Sequence, residues 1–167
     1  MLVNADSTVR GARFPGRYIQ GAGVIARLGE EAASFGDKAV VLLDNGIFGI
    51  LKPKVDAAFA SGPEARIVRH GGECSESQIA ALVAEAREAG AKVVIGVGGG
   101  KALDTAKAAS RDLGLPSIIF PTIAASDAPC SALAVVYNDD GSVAYDTLLP
   151  SNPNLVLVDT ALIAQAP

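Results

Sequence analysis

The sequence predicts an α/β fold: a doubly wound, mostly parallel sheet with a β-hairpin insertion near residues 133–148. Half of its residues are apolar, Ala, Val, Leu and Gly abound and Trp is absent, a mix that suits helices packed closely on both faces of a parallel sheet. Short apolar runs alternate with stretches of helical spacing up to Phe120, the pattern of repeated βαβ units. Beyond Phe120 the alternation gives way to two strand-like runs, Leu133 to Tyr137 and Ser142 to Leu148, on either side of Asp139-Asp140-Gly141, which reads as a hairpin.

In chain order, residues 1–14 read as a loose arm and 15–167 as one folded domain. Arg17 to Gln20 forms a short strand. Val24, Ile25, Leu28 and Ala32 share one helical face, with Gly36 as the stop. Lys38 to Asp44 (KAVVLLD) is a buried strand ending in an acid. A helix follows over Phe48 to Ala60, with Pro53 at its start or at a kink. Ala65 to Arg69 is the next strand, closed by the Gly71-Gly72 turn. Ser75 to Gln78 fits a capping box ahead of Ile79, Leu82, Val83 and Ala86 on one helical face.

Lys92 to Val97 is a strand that runs into Gly98, Gly99 and Gly100. The helix after it carries a narrow stripe of Ala102, Ala106, Ala109 and Leu113. On that helix Asp104 and Lys107 either pair across one turn of an exposed face or Asp104 orients Lys101. Ser117 to Phe120 is a buried strand, and Asn154 to Asp159 another, with a helix opening at Thr160. The whole is a Rossmann-like order of elements. The chain stops at Pro167, barely into that last helix, so a truncated protein is expected.

A formal net charge of -4 without a block of like charges argues against nucleic acid as a partner. Two cysteines make no disulfide framework, which points to a reducing, cytoplasmic setting. The first ten residues lack the basic start and apolar stretch of a signal peptide, and no apolar segment is long enough to span a bilayer.

The stretch IGVGGGKALDTAK, Ile95 to Lys107, carries the strongest chemical signal. Glycines at a strand-to-helix turn let a ligand meet bare backbone, and the first amides of the helix favour an anion. Lys101 stands in that first turn, where a cation opposes the helix dipole, so its placement suits a phosphate better than it suits stability. The nucleotide triphosphatase loop is excluded, because it needs glycine at Ile95 and a hydroxyl at Ala102. A second glycine loop, Gly21-Ala22-Gly23-Val24-Ile25-Ala26, also matches a dinucleotide fingerprint, with Asp44 about twenty residues on. The strand before it is short and polar, which weakens it as the phosphate site.

Asp44 reads either as a turn cap or as the acid that holds the adenosine ribose hydroxyls. In the second role it repels a 2′-phosphate and favours NAD over NADP. Ser126 and Asp127 lie on the loop Pro121 to Ser131, at the carboxyl end of a strand and within reach of a ligand on Gly98 to Lys101. A Cys-His nucleophile is excluded in practice, with Cys130 lacking a nearby base and His70 the single histidine. His70 reads as a loop residue rather than a ligand.

Four segments, GGECS (Gly71 to Ser75), IGVGGGKALDTAK, PTIAASDAPCSALAVVY (Pro121 to Tyr137) and LPSNPNLVLVDT (Leu149 to Thr160), resemble the iron-containing, or group III, alcohol dehydrogenase family in its glycerol dehydrogenase branch. The resemblance runs from Pro15 to Pro167. At Ala125-Ser126 the branch more often has a pair of hydroxyls. The resemblance implies an NAD-binding domain followed by a helical domain that supplies zinc through one aspartate and two histidines. By motif position it implies Asp44 on the adenosine ribose and Gly98, Gly99, Gly100 and Lys101 on the pyrophosphate. Thr122, Ser131, Leu133 and Tyr137 would line the rest of the cofactor, and Asp127 would meet glycerol beside the nicotinamide. In the complete enzyme, zinc polarises the alcohol and hydride passes to NAD, giving dihydroxyacetone.

The implied metal ligands would all follow Pro167, and one histidine cannot build such a site. The expectation is therefore a chain that binds NAD(H), holds no zinc and does not catalyse alone. Loss of the second domain would expose apolar surface at the carboxyl edge of the sheet, and a homo-oligomer is expected. The alternative is a stand-alone, non-catalytic nucleotide-binding or interaction protein. A phosphate-substrate relative should carry more basic residues in Pro121 to Ser131 than this loop offers.

Overall fold

The computed structural model describes residues 11–138 and 140–166. The arm expected over residues 1–14 falls largely outside them, as does Asp139 of the hairpin turn. Six strands, β1 (Arg17–Gly21), β2 (Lys38–Leu43), β3 (Glu64–Arg69), β4 (Val93–Gly98), β5 (Ser117–Pro121) and β8 (Leu155–Asp159), form one sheet in the order β1-β8-β5-β4-β2-β3. Every pairing in it is parallel. The remaining strands, β6 (Leu133–Tyr137) and β7 (Val143–Leu148), make the separate antiparallel hairpin.

Alternation along the central strands explains the layering. Val41, Leu43, Ile95 and Phe120 face one core, shared with the 3₁₀ turn Val24–Arg27, α1 (Leu28–Ala33) and α2 (Phe48–Phe59). Val40, Leu42, Val94 and Ile119 face the other, shared with α3 (Glu76–Ala89), α4 (Gly100–Leu113) and Ala134 and Val136 of the hairpin. Strands buried on both faces read as continuous apolar runs, which is why β2, β4 and β5 were legible.

One local expectation is narrowed and two are corrected. Pro53 lies inside α2, past its start, where the ring removes the bond to the Gly49 carbonyl. The capping box at α3 does not form. Ser75 is the N-cap but makes no side-chain cap bond. Its Oγ lies 2.8 Å from Ser77 Oγ, and Gln78 Oε1 instead accepts from the Gly71 amide at 2.9 Å. The Gly71 amide donates to the Gln78 oxygen, which is then turned away from the helix start. Helix α4 shows no narrow stripe either, since every residue from Ala102 to Ser110 is buried. Sheet, α3 and β6 surround it, and a Cβ added to Gly96 would lie 2.7 Å from Ala106 Cβ. The helix rests on bare strand backbone.

Two buried polar groups fasten this frame. Asp159, at the end of β8, accepts from Gly23 N at 3.1 Å and Ile25 N at 3.2 Å. It also caps α5 (Thr160–Ile163) through Ala161 N and Leu162 N. His70 is a loop residue as expected, yet it is buried. Its Nε2 donates to the Glu73 carbonyl at 3.1 Å and meets Thr105 Oγ1 at 3.1 Å. Burial lowers its pKa, partly offset by the charges of Asp44 and Glu73. Beside it, burial pushes the Cys74 thiol up to about 11.

Replacing Asp159 with alanine leaves those amides without an acceptor, and we expect a loss of about 3 kcal/mol in a urea titration. An unchanged midpoint would refute the staple. For His70 the folded pKa lies below the unfolded value of about 6.5, so the unfolded chain takes up the proton first as pH falls. Stability should therefore drop on acidification below about pH 6.5, and His70→Gln should flatten that slope. Because this is the single histidine, its NMR titration midpoint checks the direction.

Candidate dinucleotide site

The strand order reverses between β2 and β4. From β2 the chain moves outward to β3, then crosses back to β4 and on to β5. Open parallel sheets bind ligands in the crevice at such a reversal, beyond the carboxyl ends of the strands. Asp44 follows β2, Gly98 ends β4 with Gly99 and Gly100 after it, and the two segments join through the Asp44 amide donating to Val97 O at 2.9 Å.

Gly98 has φ +154°, and a Cβ there would stand 2.5 Å from Asp44 Cβ. Only glycine closes this corner. Gly99 is the N-cap of α4, and no side chain caps the helix. Its first amides are thus left for an external acceptor, in a region of positive helix-dipole potential. Asp44 Oδ1 accepts from Gly46 N at 2.8 Å, so the turn-cap reading holds. The same carboxylate reaches toward the glycines, with Oδ2 3.5 Å from Gly99 N.

Two clefts flank this turn. One, of about 390 Å³, has Asp44, Gly99 and Thr122 on its polar side and Ile47, Ile123 and Leu162 among its apolar walls. The other, of about 260 Å³, gathers Gly100, Lys101, Asp127, Ser131, Leu133 and Tyr137. The candidate residues thus fall into two groups: Thr122 sits with Asp44, apart from Ser131, Leu133 and Tyr137. Ser126 closes on the turn, with its Oγ 3.6 Å from where a Gly100 Cβ would be.

Lys101 is paired. Its Nζ lies 2.5 Å from Glu73 Oε1 and 5.3 Å from the centre of the Tyr137 ring. Glu73 comes from the GGECS turn and was not singled out as a partner. The apolar wall supplied by Ile47, Ile50 and Leu162 also went unnoticed, although Leu162 follows Asp159 closely enough to be placed by it. Asp104 and Lys107 do pair, at 2.9 Å, but inside the protein and not on an exposed face.

The Gly21–Ala26 loop is not a second cradle. Its Gly23 and Ile25 amides already hold the Asp159 carboxylate, and β1 before it is a half-exposed edge strand. The protein has supplied its own anion there.

Among the described residues, no group of three His, Cys, Asp or Glu side chains is placed to hold a metal ion. The donor set for zinc therefore does not fit these residues, and no step is derived through a metal. A dinucleotide does fit: the uncapped amides, the missing Cβ at Gly98 and the adjoining clefts are the features a pyrophosphate needs. No helix among the described residues is long and apolar enough to cross a membrane.

Known proteins resemble this chain over most of its length. Glycerol dehydrogenase of Escherichia coli O6:H1 is 47% identical over 156 residues, 92% of this chain and 42% of that protein. The Thermotoga maritima glycerol dehydrogenase is 46% identical over the same shares of each chain. A probable glycerol dehydrogenase from Sinorhizobium meliloti superposes with a TM-score of 0.88 at 42% identity, covering 95% of this chain and 43% of that one. The chain spans about two-fifths of the length of these relatives. The model of the family described as iron-containing alcohol dehydrogenase matches residues 15–160, and the chain belongs to that family.

Proposed function

We propose that this chain is the NAD(H)-holding part of a glycerol dehydrogenase. One observation carries the reading: two clefts flank an uncapped, glycine-lined helix start, with an acid on one side and a lysine on the other. Asp44 accepts the adenosine ribose hydroxyls, the apolar wall of Ile47, Ile123 and Leu162 takes the adenine, and the amides after Gly99 take the pyrophosphate. Lys101 adds a cation at the junction and is steered there by Glu73. Ser131, Leu133 and Tyr137 flank the nicotinamide side, and Asp127 holds the polyol hydroxyls there. When bound, NAD supplies the acceptor for a hydride.

Support for glycerol as the substrate comes from relatives that are 46–47% identical. Support for a binding rather than a catalytic role for this chain alone comes from its single histidine. Exposed Ile50, beside the larger cleft at the carboxyl edge, supports self-association.

Calorimetry with NADH tests the cradle. Gly99→Asp puts a Cβ 3.9 Å from Asp44 Oδ2 and adds a second negative charge at the turn, and we expect at least a tenfold loss of affinity, or about 1.4 kcal/mol. Equal binding by both proteins would sink the reading. NADPH should bind at least tenfold more weakly than NADH. Glycerol-dependent NADH formation by this chain with zinc added would overturn the non-catalytic part. Sedimentation should show mass rising with concentration, and a monomer throughout would remove the oligomer.

A further inference from the structure

Asp104 lines the smaller cleft and belongs to a buried ion pair that the reading above does not use. Lys107 and Asp104 are both buried in the middle of α4. The Lys107 ammonium donates to the carbonyls of Ala128 at 2.8 Å, Ser131 at 3.4 Å and Leu133. An ammonium has three hydrogens and no acceptor, so those three carbonyls use it fully. Asp104 Oδ1, at 2.9 Å, faces it as a counter-charge without hydrogen-bond alignment. Asp104 Oδ2 accepts from the Val135 amide at 3.1 Å.

The segment they hold is one wall of that cleft. Ala128 and Ser131 stand within a short turn closed by the Cys130 and Ser131 amides donating to Asp127 O at 2.9 and 3.0 Å. Leu133 and Val135 begin the hairpin. The opposite wall is Gly100 and Lys101, the first turn of the same helix. One helix therefore carries the anion cradle at its start and, one to two turns later, two charges that set how far away the facing loop stands. Burying a lysine to satisfy backbone carbonyls is an expensive way to close a loop if only stability is at stake.

We propose that Asp104 and Lys107 are positioning residues that set the distance between the α4 cradle and the Asp127–Val135 wall, and so the fit of the nicotinamide half of the dinucleotide. This rests on the NAD(H) reading. The Asp44 cleft has no contact with the pair, so the two halves of the ligand should respond differently.

Titrations of AMP and NADH against the wild-type chain, Lys107→Met and Asp104→Asn test the idea, since AMP occupies only the Asp44 side. We expect Lys107→Met to lose about tenfold or more in NADH affinity, and Asp104→Asn about threefold, with AMP affinity within about twofold of wild type in both. Retained AMP binding also shows that each variant is folded. Should Lys107→Met fail to fold, the isosteric Asp104→Asn decides alone. Either NADH affinity unchanged in the folded variants, or AMP and NADH affinity lost equally, would overturn the inference. A wild-type chain that binds neither ligand would overturn the dinucleotide reading itself and this inference with it.

Discussion

The burial of α4 on every side is the constraint on which the rest depends. From Ala102 to Ser110 the helix, enclosed by sheet, by α3 and by a hairpin, has no solvent-facing side to absorb errors, so each of those positions is committed to a neighbour. Ala106 meets bare Gly96, Thr105 meets His70, and Asp104 and Lys107 reach into the loop and the hairpin. Small residues allow the close approach to the strand, and the charged ones are tolerated only because each finds a partner. The open end of this rigid rod is the glycine turn. A cradle built on such a helix has little freedom to adapt, which is what preorganised anion binding requires.

The two glycine loops show how the same local chemistry comes to different ends. Both present backbone amides at a strand-to-helix turn. At Gly23 and Ile25 the amides are saturated by Asp159, which ties the beginning of the domain to its last strand. At Gly99 to Lys101 the N-cap glycine has no side chain to fill the position, and Asp44 Oδ2 stays 3.5 Å from the Gly99 amide. The difference lies entirely in which distant residue arrives. Pairing of Lys101 with Glu73 follows the same logic, since a cation beside a positive helix end is held by an acid from another loop.

Most of the element order was legible along the chain, because apolar runs with buried faces and turn glycines act locally. The strands from Arg17 to Phe120, the hairpin and the glycine-to-helix transition are all such features. The sequence also pointed to the glycine turn as the proposed anion site and to Asp44 as its neighbour, since spacing within a βα unit is a local property. Tertiary structure alone decided what periodicity cannot report, namely which side of a helix remains exposed once other elements have arrived. Helical spacing marked one stripe of α4, yet α3 and β6 covered the rest, turning Asp104 and Lys107 from a surface pair into a buried one. Likewise the capping signal of Ser75 and Gln78 lost to the Gly71 amide, and the fingerprint at Gly21 lost to Asp159, because hydrogen-bond partners are chosen by proximity in space and not by proximity along the chain.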